Sequence, residues 1–235
     1  MNEIVTCTGV SKTYRQGKVA VKALTDIELT VEKGGFIALA GPSGSGKTTL
    51  LNLIGGLDRA DSGSITVGGF SYANLNNAQM ADLRLNQIGF IFQSYNLIPV
   101  LSALENVEYV MLLQGVDAKE RRRRAEEILD IVGLQDKHDR RPAELSGGQQ
   151  QRVAVARAIV SNPAIVLADE PTANLDSKTG ESLLQLMRKM NRTRSVTFIF
   201  STHDTMVMDY ARRLIMIRDG RISRDDRKPE ASTGA

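Results

Sequence analysis

Short apolar runs, each bounded by Gly, Pro or Asp, recur along the chain: FIALAG (36–41), IGFIFQ (88–93), AIVLADEP (164–171), VTFIFSTHD (196–204) and LIMIRDG (214–220). The second, third and fourth are nearly continuously apolar and β-rich, the pattern of strands buried on both faces. Helical patterns separate several of them. KTTLLNLIGGL starts at Lys47 and stops at the glycines 55–56, and ESLLQLMRKM (181–190) is amphipathic. This alternation predicts an α/β fold built on a mostly parallel sheet. IVTCTGVSKTY, ALTDIELTVEKGG and GSITVGG alternate polar and apolar positions and carry turn signals, which predicts antiparallel strands in the N-terminal third. From about 105 to 140 the pattern is helical and strandless. There Ala125, Ile128, Leu129 and Val132 share one face, Asp117 and Glu120 are spaced for a capping box, and Gly133 supplies a stop. The polar stretch SRDDRKPEASTGA at the C-terminus is expected to fray.

Composition narrows this picture without redirecting it. The 235 residues are 42% hydrophobic and 24% charged, a globular composition. Thirty basic against 27 acidic residues leave a net charge of +3, too balanced to argue for a nucleic-acid partner. KERRRRAEE (119–127) contains the i,i+4 pairs Arg122/Glu126 and Arg123/Glu127 and reads as a solvated helix face. The single cysteine, Cys7, fits a reducing compartment, and MNEIVTC lacks a secretory leader pattern. No apolar run approaches the roughly 20 residues that span a bilayer. A soluble, cytosolic chain is therefore expected, with any membrane role supplied by a partner. The five methionines between 187 and 216 fit packing, and His138, between Lys137 and Asp139, reads as a surface histidine.

The chemistry starts at GPSGSGKT (41–48), which matches G-x-x-x-x-G-K-[ST] between an apolar strand and a helix. Glycines let the backbone turn several N–H groups towards a β-phosphate. Lys47 is placed to neutralise β/γ oxygens, and the Thr48 hydroxyl to ligate Mg²⁺. AIVLADEP supplies the complement: a buried strand carries Asp169 to its C-terminal end as the Mg²⁺-side carboxylate. Adjacent Glu170 is the candidate general base or water-orienting group. These residues predict a Mg²⁺-dependent NTPase. A second anion-attracting helix start, LSGGQ (145–149), has Ser146 as a cap and Gly147 and Gly148 to admit close approach, but no lysine. Such a site is suited to completing a phosphate site rather than building one.

LSGGQ followed by QQRVAVARA and then LADEP resembles the ATP-binding cassette (ABC) family in motif and order, and the resemblance covers essentially the whole chain. It implies a P-loop NTPase core of the ABC-ATPase type, with an N-terminal antiparallel β subdomain and an inserted α-helical subdomain. The implied organisation is one domain over 1–227, with 1–92 and 162–227 as catalytic core, 93–161 as Q-loop and helical subdomain, and a polar tail at 228–235. The resemblance makes Tyr14 the adenine-stacking aromatic. Gly41, Pro42, Ser43, Gly44, Ser45, Gly46, Lys47, Thr48 and Thr49 become the ATP cradle. Gln93, at the end of a strand, becomes the Q-loop glutamine near Mg²⁺ or the attacking water. ANLD (173–176) becomes the D-loop ending in Asp176, and His203 the switch histidine at the γ-phosphate. It further implies that two copies dimerise head to tail, with each ATP between Gly41–Thr48 of one and Ser146–Gln149 of the other. The segment 93–109, with Leu97, Ile98 and Leu101, would receive a coupling helix of separate transmembrane permease subunits, unless those residues are simply core. The chain would then lie peripherally on the cytoplasmic face of the inner membrane.

GPSGSGKTTLLNLIGGLDRADSG, IGFIFQSYNLIPVLSALENV and LADEPTANLDSKTG are similar to cassettes of the lipoprotein-release (LolD) and macrolide/peptide-export (MacB) type. The division-associated FtsE type is also near, so an ATPase that regulates a membrane partner without moving cargo stays open as the alternative. Ala173-Asn174 departs from the Gly-Asn or Gly-Ala often seen before the D-loop Leu-Asp and leaves the subtype open.

Overall fold

The computed structural model describes residues 2–17 and 19–228. β1 (Glu3–Gln16) and β2 (Val19–Glu32) form a long antiparallel hairpin; β4 (Ser62–Val67) pairs with β1 and β5 (Phe70–Ser71) with β4, giving the order β2-β1-β4-β5. The second sheet runs β10-β9-β3-β8-β7-β6, from β3 (Phe36–Ala40), β6 (Ile88–Ile91), β7 (Ile165–Asp169), β8 (Thr197–Thr202), β9 (Arg213–Arg218) and β10 (Arg221–Arg227). Five of these are parallel, and only β10 runs antiparallel, against β9. Both predicted sheet types are therefore present.

The apolar runs of the central strands reflect two cores. Ile37, Leu39, Ile165, Leu167 and Ile199 face one way, onto α1 (Lys47–Ile54) and the inner face of the antiparallel sheet, where Val5, Ile27, Leu29 and Val31 are buried. Phe36, Ala38, Val166, Ala168, Phe198 and Phe200 face the other way. There they meet α5 (Gly147–Ile159) and α6 (Ser177–Arg194), with the Phe36 and Phe200 ring centroids 4.7 Å apart. Each fully buried ring or branched side chain contributes roughly 1.5–3 kcal/mol. A strand with both faces covered has no polar positions to spare, hence the unbroken pattern.

α2 (Asn77–Gln87) precedes β6; α3 (Ala103–Leu113) and α4 (Ala118–Ile131) pack with α5 to form a helical unit, and α7 (Thr205–Tyr210) follows β8. Val107, Met111, Ile128, Leu129 and Val153 fill the helical unit. α3 begins with a reciprocal box between Ser102 and Glu105. At α4, Asp117 does cap the backbone N–H groups of Lys119 and Glu120, but the expected reciprocal box is absent. The Glu120 carboxylate is drawn instead to the Arg123 guanidinium, at 2.7 and 2.9 Å. Arg122–Glu126 and Arg123–Glu127 form the expected helix-face pairs. His138, on the surface side of the helical unit, has its Nε2 3.0 Å from Asp130 Oδ1.

Fraying is also corrected in part. Ser223–Arg227 belong to β10, while 229–235 lie outside the described residues. The edge strand is held by Arg213, whose guanidinium donates to both Asp225 oxygens at 2.7 and 2.6 Å and to the Thr30 carbonyl of β2. These hydrogen bonds hold the Asp225 carboxyl below its ordinary value. The pair's contribution is therefore complete above the unfolded-chain pKa near 4 and fades as pH falls through the lower folded value. Asp225→Asn is expected to lower stability by up to about 1 kcal/mol at neutral pH. In denaturant unfolding, the gap from wild type should close in strong acid; a gap unchanged by acid would contradict this.

Candidate functional site

The loop between β3 and α1 turns through glycines with φ in the left-handed region, 148° at Gly41, 76° at Gly44 and 107° at Gly46. A Cβ on Gly41 would fall on the Ile217 carbonyl oxygen, and one on Gly46 would lie 2.5 Å from the Ala23 carbonyl oxygen. The loop can therefore follow this path only without side chains there. Gly46 caps α1 with no side chain in the cap and no acidic residue in the first turn. The helix start is left as a bare N–H cluster at the positive end of its dipole. Lys47 is buried and donates to the Gly41 and Pro42 carbonyls at 2.9 and 2.8 Å, so its ammonium is folded back into the loop it would share with an anion.

β7 ends where the loop opens. Asp169 Oδ1 accepts from the Thr48 hydroxyl at 3.2 Å, bringing two hard oxygen donors together across 121 positions of sequence. Glu170 follows with a left-handed φ of 47°, unusual for a non-glycine residue, and its N–H donates to the Ser201 carbonyl at 2.9 Å. Its carboxylate accepts from Thr202 Oγ1 at 3.1 Å and lies 2.6 Å from His203 Nδ1.

A cleft of about 690 Å³ is lined by Tyr14, the loop residues Pro42–Gly44 and Gly46–Thr49, Gln93, Glu170 and His203, together with Val21, Lys22 and Ala23. Tyr14 stands at its edge, 42% exposed, with its hydroxyl donating to Asp58 Oδ2 at 2.8 Å and Lys12 Nζ 5.2 Å from its ring centroid. Lys12 is itself anchored on Asp58 Oδ1 and the Arg59 carbonyl. Gln93 is at the cleft but not on a strand: β6 stops at Ile91, and Gln93 lies in the following loop, its carbonyl accepting from Asn174 Nδ2 at 2.9 Å. β6 pairs with β7 only as far as Ile91 opposite Ala168, although β7 itself continues to Asp169.

None of Ser146–Gln149 lines this cleft. They start α5 in a reciprocal box: Ser146 Oγ accepts from the Gln149 N–H at 3.3 Å, and Gln149 Oε1 accepts from the Ser146 N–H at 2.9 Å. The two glycines also serve packing inside the chain. A Cβ on Gly147 would lie 2.9 Å from the Tyr95 hydroxyl, and one on Gly148 would fall on the Thr179 methyl. α5 is buried along Val153–Ala156 and Ala158–Ile159, as its apolar sequence predicts. It is tied to the loops that follow Glu170 and Gln93. Gln151 Nε2 donates to the Pro171 carbonyl at 2.8 Å, and Arg157 donates to the carbonyls of Tyr95 and Asn96, both at positive φ. Burial lowers the pKa of the Arg157 guanidinium. Asp176 also stands apart from the cleft lining and caps α6, accepting from the Thr179 N–H and hydroxyl. Those bonds hold its carboxyl below the usual range.

Sequence reasoning missed Thr202, which donates to Glu170, and Asp204 and Thr172, which are hydrogen-bonded in turn to Thr202 and to Asp204. It also missed Asn106, fully buried, which holds the 98–102 loop through the carbonyls of Ile98, Leu101 and Ser102. Polar residues within apolar stretches were the available signal. Leu97 packs against the helical core, whereas Ile98 lines a separate, largely apolar groove with Leu85, Phe90, Phe92 and Tyr109. No helix among the described residues is long and apolar enough to cross a membrane.

The pattern of the ABC transporter family matches residues 24–173. An uncharacterized ABC transporter ATP-binding protein of Thermotoga maritima is 46% identical over 228 residues, 97% of each chain. A macrolide export ATP-binding/permease protein, MacB, of Sodalis glossinidius is 46% identical over 224 residues, 95% of this chain and 34% of that protein. Among solved structures, the dimeric cassette MJ0796 bound to ADP and Pi superposes with a TM-score of 0.88 at 41% identity, covering 96% of this chain and 99% of that one.

Proposed function

The chain belongs to the ABC transporter family as an ATP-binding, ATP-hydrolysing cassette, and from that premise we propose how its residues divide the work and what they drive. One observation carries the proposal: the cleft gathers a phosphate cradle, a paired Thr48–Asp169 and Glu170, while the second anion-attracting helix start lies outside it. MJ0796 is a dimeric cassette, and a second copy of this chain, set head to tail, would bring its Ser146–Gln149 to the cleft.

In this reading Tyr14 stacks on adenine, and the bare α1 start and loop N–H groups hold the phosphates. Lys47 exchanges the Gly41 and Pro42 carbonyls for β/γ oxygens. Thr48 and Asp169 fit Mg²⁺, which takes few protein oxygens and completes its shell with phosphate and water; the described residues hold no cluster of three acidic, His or Cys ligands that would suit a caged metal. The ion supplies charge neutralisation at the phosphates. Glu170 accepts the proton of the attacking water, Gln93 orients near it, and His203 turns from the Glu170 carboxylate to the γ-phosphate. Loss of that phosphate removes contacts made by both copies and lets the dimer open. Asp176, at the end of the D-loop, is assigned to the bound nucleotide, although in the single chain it stands apart from the cleft lining.

The driven partner is a membrane permease, received by the groove around Ile98 and Tyr109 within 93–109, with the cassette on the cytoplasmic face. MacB is named as an ATP-binding/permease protein; for this cassette, export or lipoprotein extraction through a membrane permease is the favoured work. Cys7 is buried and pushed up to about 12, chiefly by desolvation, so it is a poor thiolate. An Ile98→Cys chain in native membranes should therefore crosslink through the groove alone, to an integral membrane protein whose presence raises the ATPase rate. Crosslinking only to soluble proteins would contradict the proposal. A membrane adduct that stimulates hydrolysis without moving substrate would favour the regulatory alternative.

A further inference from the structure

We propose that Thr202 is a positioning residue for the Glu170 carboxylate, acting within a ring of hydrogen bonds that joins the loops after β7 and β8; the inference rests on the assignment of Glu170 to the attacking water. Glu170 leaves β7 in a left-handed conformation, and its backbone N–H is pinned to the Ser201 carbonyl. That fixes the origin of the side chain but not the direction of its carboxylate. Thr202 supplies the direction. Its hydroxyl is fully buried and accepts from the Asp204 N–H at 3.0 Å, which commits its single proton to Glu170 Oε2 at 3.1 Å.

The ring closes through the other loop. Asp204 Oδ1 accepts from the Met206 N–H, and Oδ2 accepts from the Thr172 hydroxyl at 2.8 Å. Thr172 is buried and lies two residues after Glu170. The path thus runs from Glu170 along the chain to Thr172, across to Asp204, back to Thr202 and onto Glu170. With Oε2 tied to the buried Thr202 hydroxyl, rotation of the carboxylate breaks a hydrogen bond to a charged group. Oε1, on the His203 side, is left as the oxygen that meets a water.

The packing of β8 does not need this hydroxyl. Valine has nearly the same shape and favours strands equally. Thr202→Val is therefore expected to lower kcat about tenfold or more, the loss of one hydrogen bond to a charged group, with the KM for ATP changed by less than about twofold. Thr202→Ser should restore kcat. In a Glu170→Gln background, Thr202→Val should cause no comparable further loss in the residual single-turnover rate. If Thr202→Val does not fold, Thr202→Ala repeats the comparison without the added methyl. Wild-type kcat in the variant lacking the hydroxyl, failure of Ser to rescue, or the same tenfold loss with Gln at 170 would each overturn the inference. If Glu170→Gln itself hydrolyses normally, the Glu170 assignment fails first. If Glu170→Gln is inactive while Thr202→Val is fully active, only the positioning role fails.

Discussion

Glu170→Gln is expected to bind ATP as the wild type does, to lose roughly 10²–10⁴-fold in hydrolysis, and to accumulate as an ATP-bound dimer. The amide preserves size and can still accept from Thr202, so the architecture around the loop is kept. What it cannot do is take a proton from water at neutral pH. Because ATP holds the two copies together and only hydrolysis releases them, blocking the chemical step traps the closed state. Size-exclusion chromatography with ATP reads the dimer, and steady-state phosphate release reads the loss. An unchanged rate would remove Glu170 from water activation.

Ser146→Glu is expected to act in the opposite way, leaving each separate chain able to bind ATP while abolishing the ATP-driven dimer and more than about 10²-fold of the hydrolysis. Ser146 is the N-cap of α5 and stands outside the chain's own cleft. A carboxylate at that position is compatible with the helix dipole, so α5 itself should persist. In the dimer, however, it would face a partner's phosphates and repel them. ATP affinity of the monomer reports the first half of this expectation and light scattering the second. Weakened monomer binding would mean that Ser146 serves its own chain's nucleotide.

The parts of the site that lie within contiguous stretches were readable before any coordinates. GPSGSGKT carries its own turn chemistry, and AIVLADEP carries its carboxylates at the end of an unmistakably buried run. What sequence could not reveal depends on pairing across long separations. Thr202 meets Glu170 only because β7 lies beside β8 in the sheet. The same reason hid β10. RISRDDR has no apolar alternation, since an exposed edge strand needs little, and the Arg213–Asp225 contact that fastens it is a feature of the folded pair. Local rules also erred where several partners compete. Glu120 had the spacing of a capping-box residue, but Arg123 one turn on offered a stronger attraction. The apolar run through Phe92 extends the expected strand to Gln93, but Phe92 stacks on Phe90 beyond the last paired residue.

The central claim is that each ATP site takes its cradle from one chain and its Ser146–Gln149 helix start from the other. Mixed dimers carrying Lys47→Ala and Ser146→Glu test it most directly. If the halves meet between chains, placing the two substitutions on opposite subunits spoils the same composite site twice and leaves the other whole. Placing both on one subunit spoils each site once. The measurement is the amount of ATP occluded per mixed dimer whose two subunits are joined by a covalent tether. One ATP retained in the opposite-subunit arrangement and none in the same-subunit arrangement is the predicted result; the reverse pattern would contradict the account.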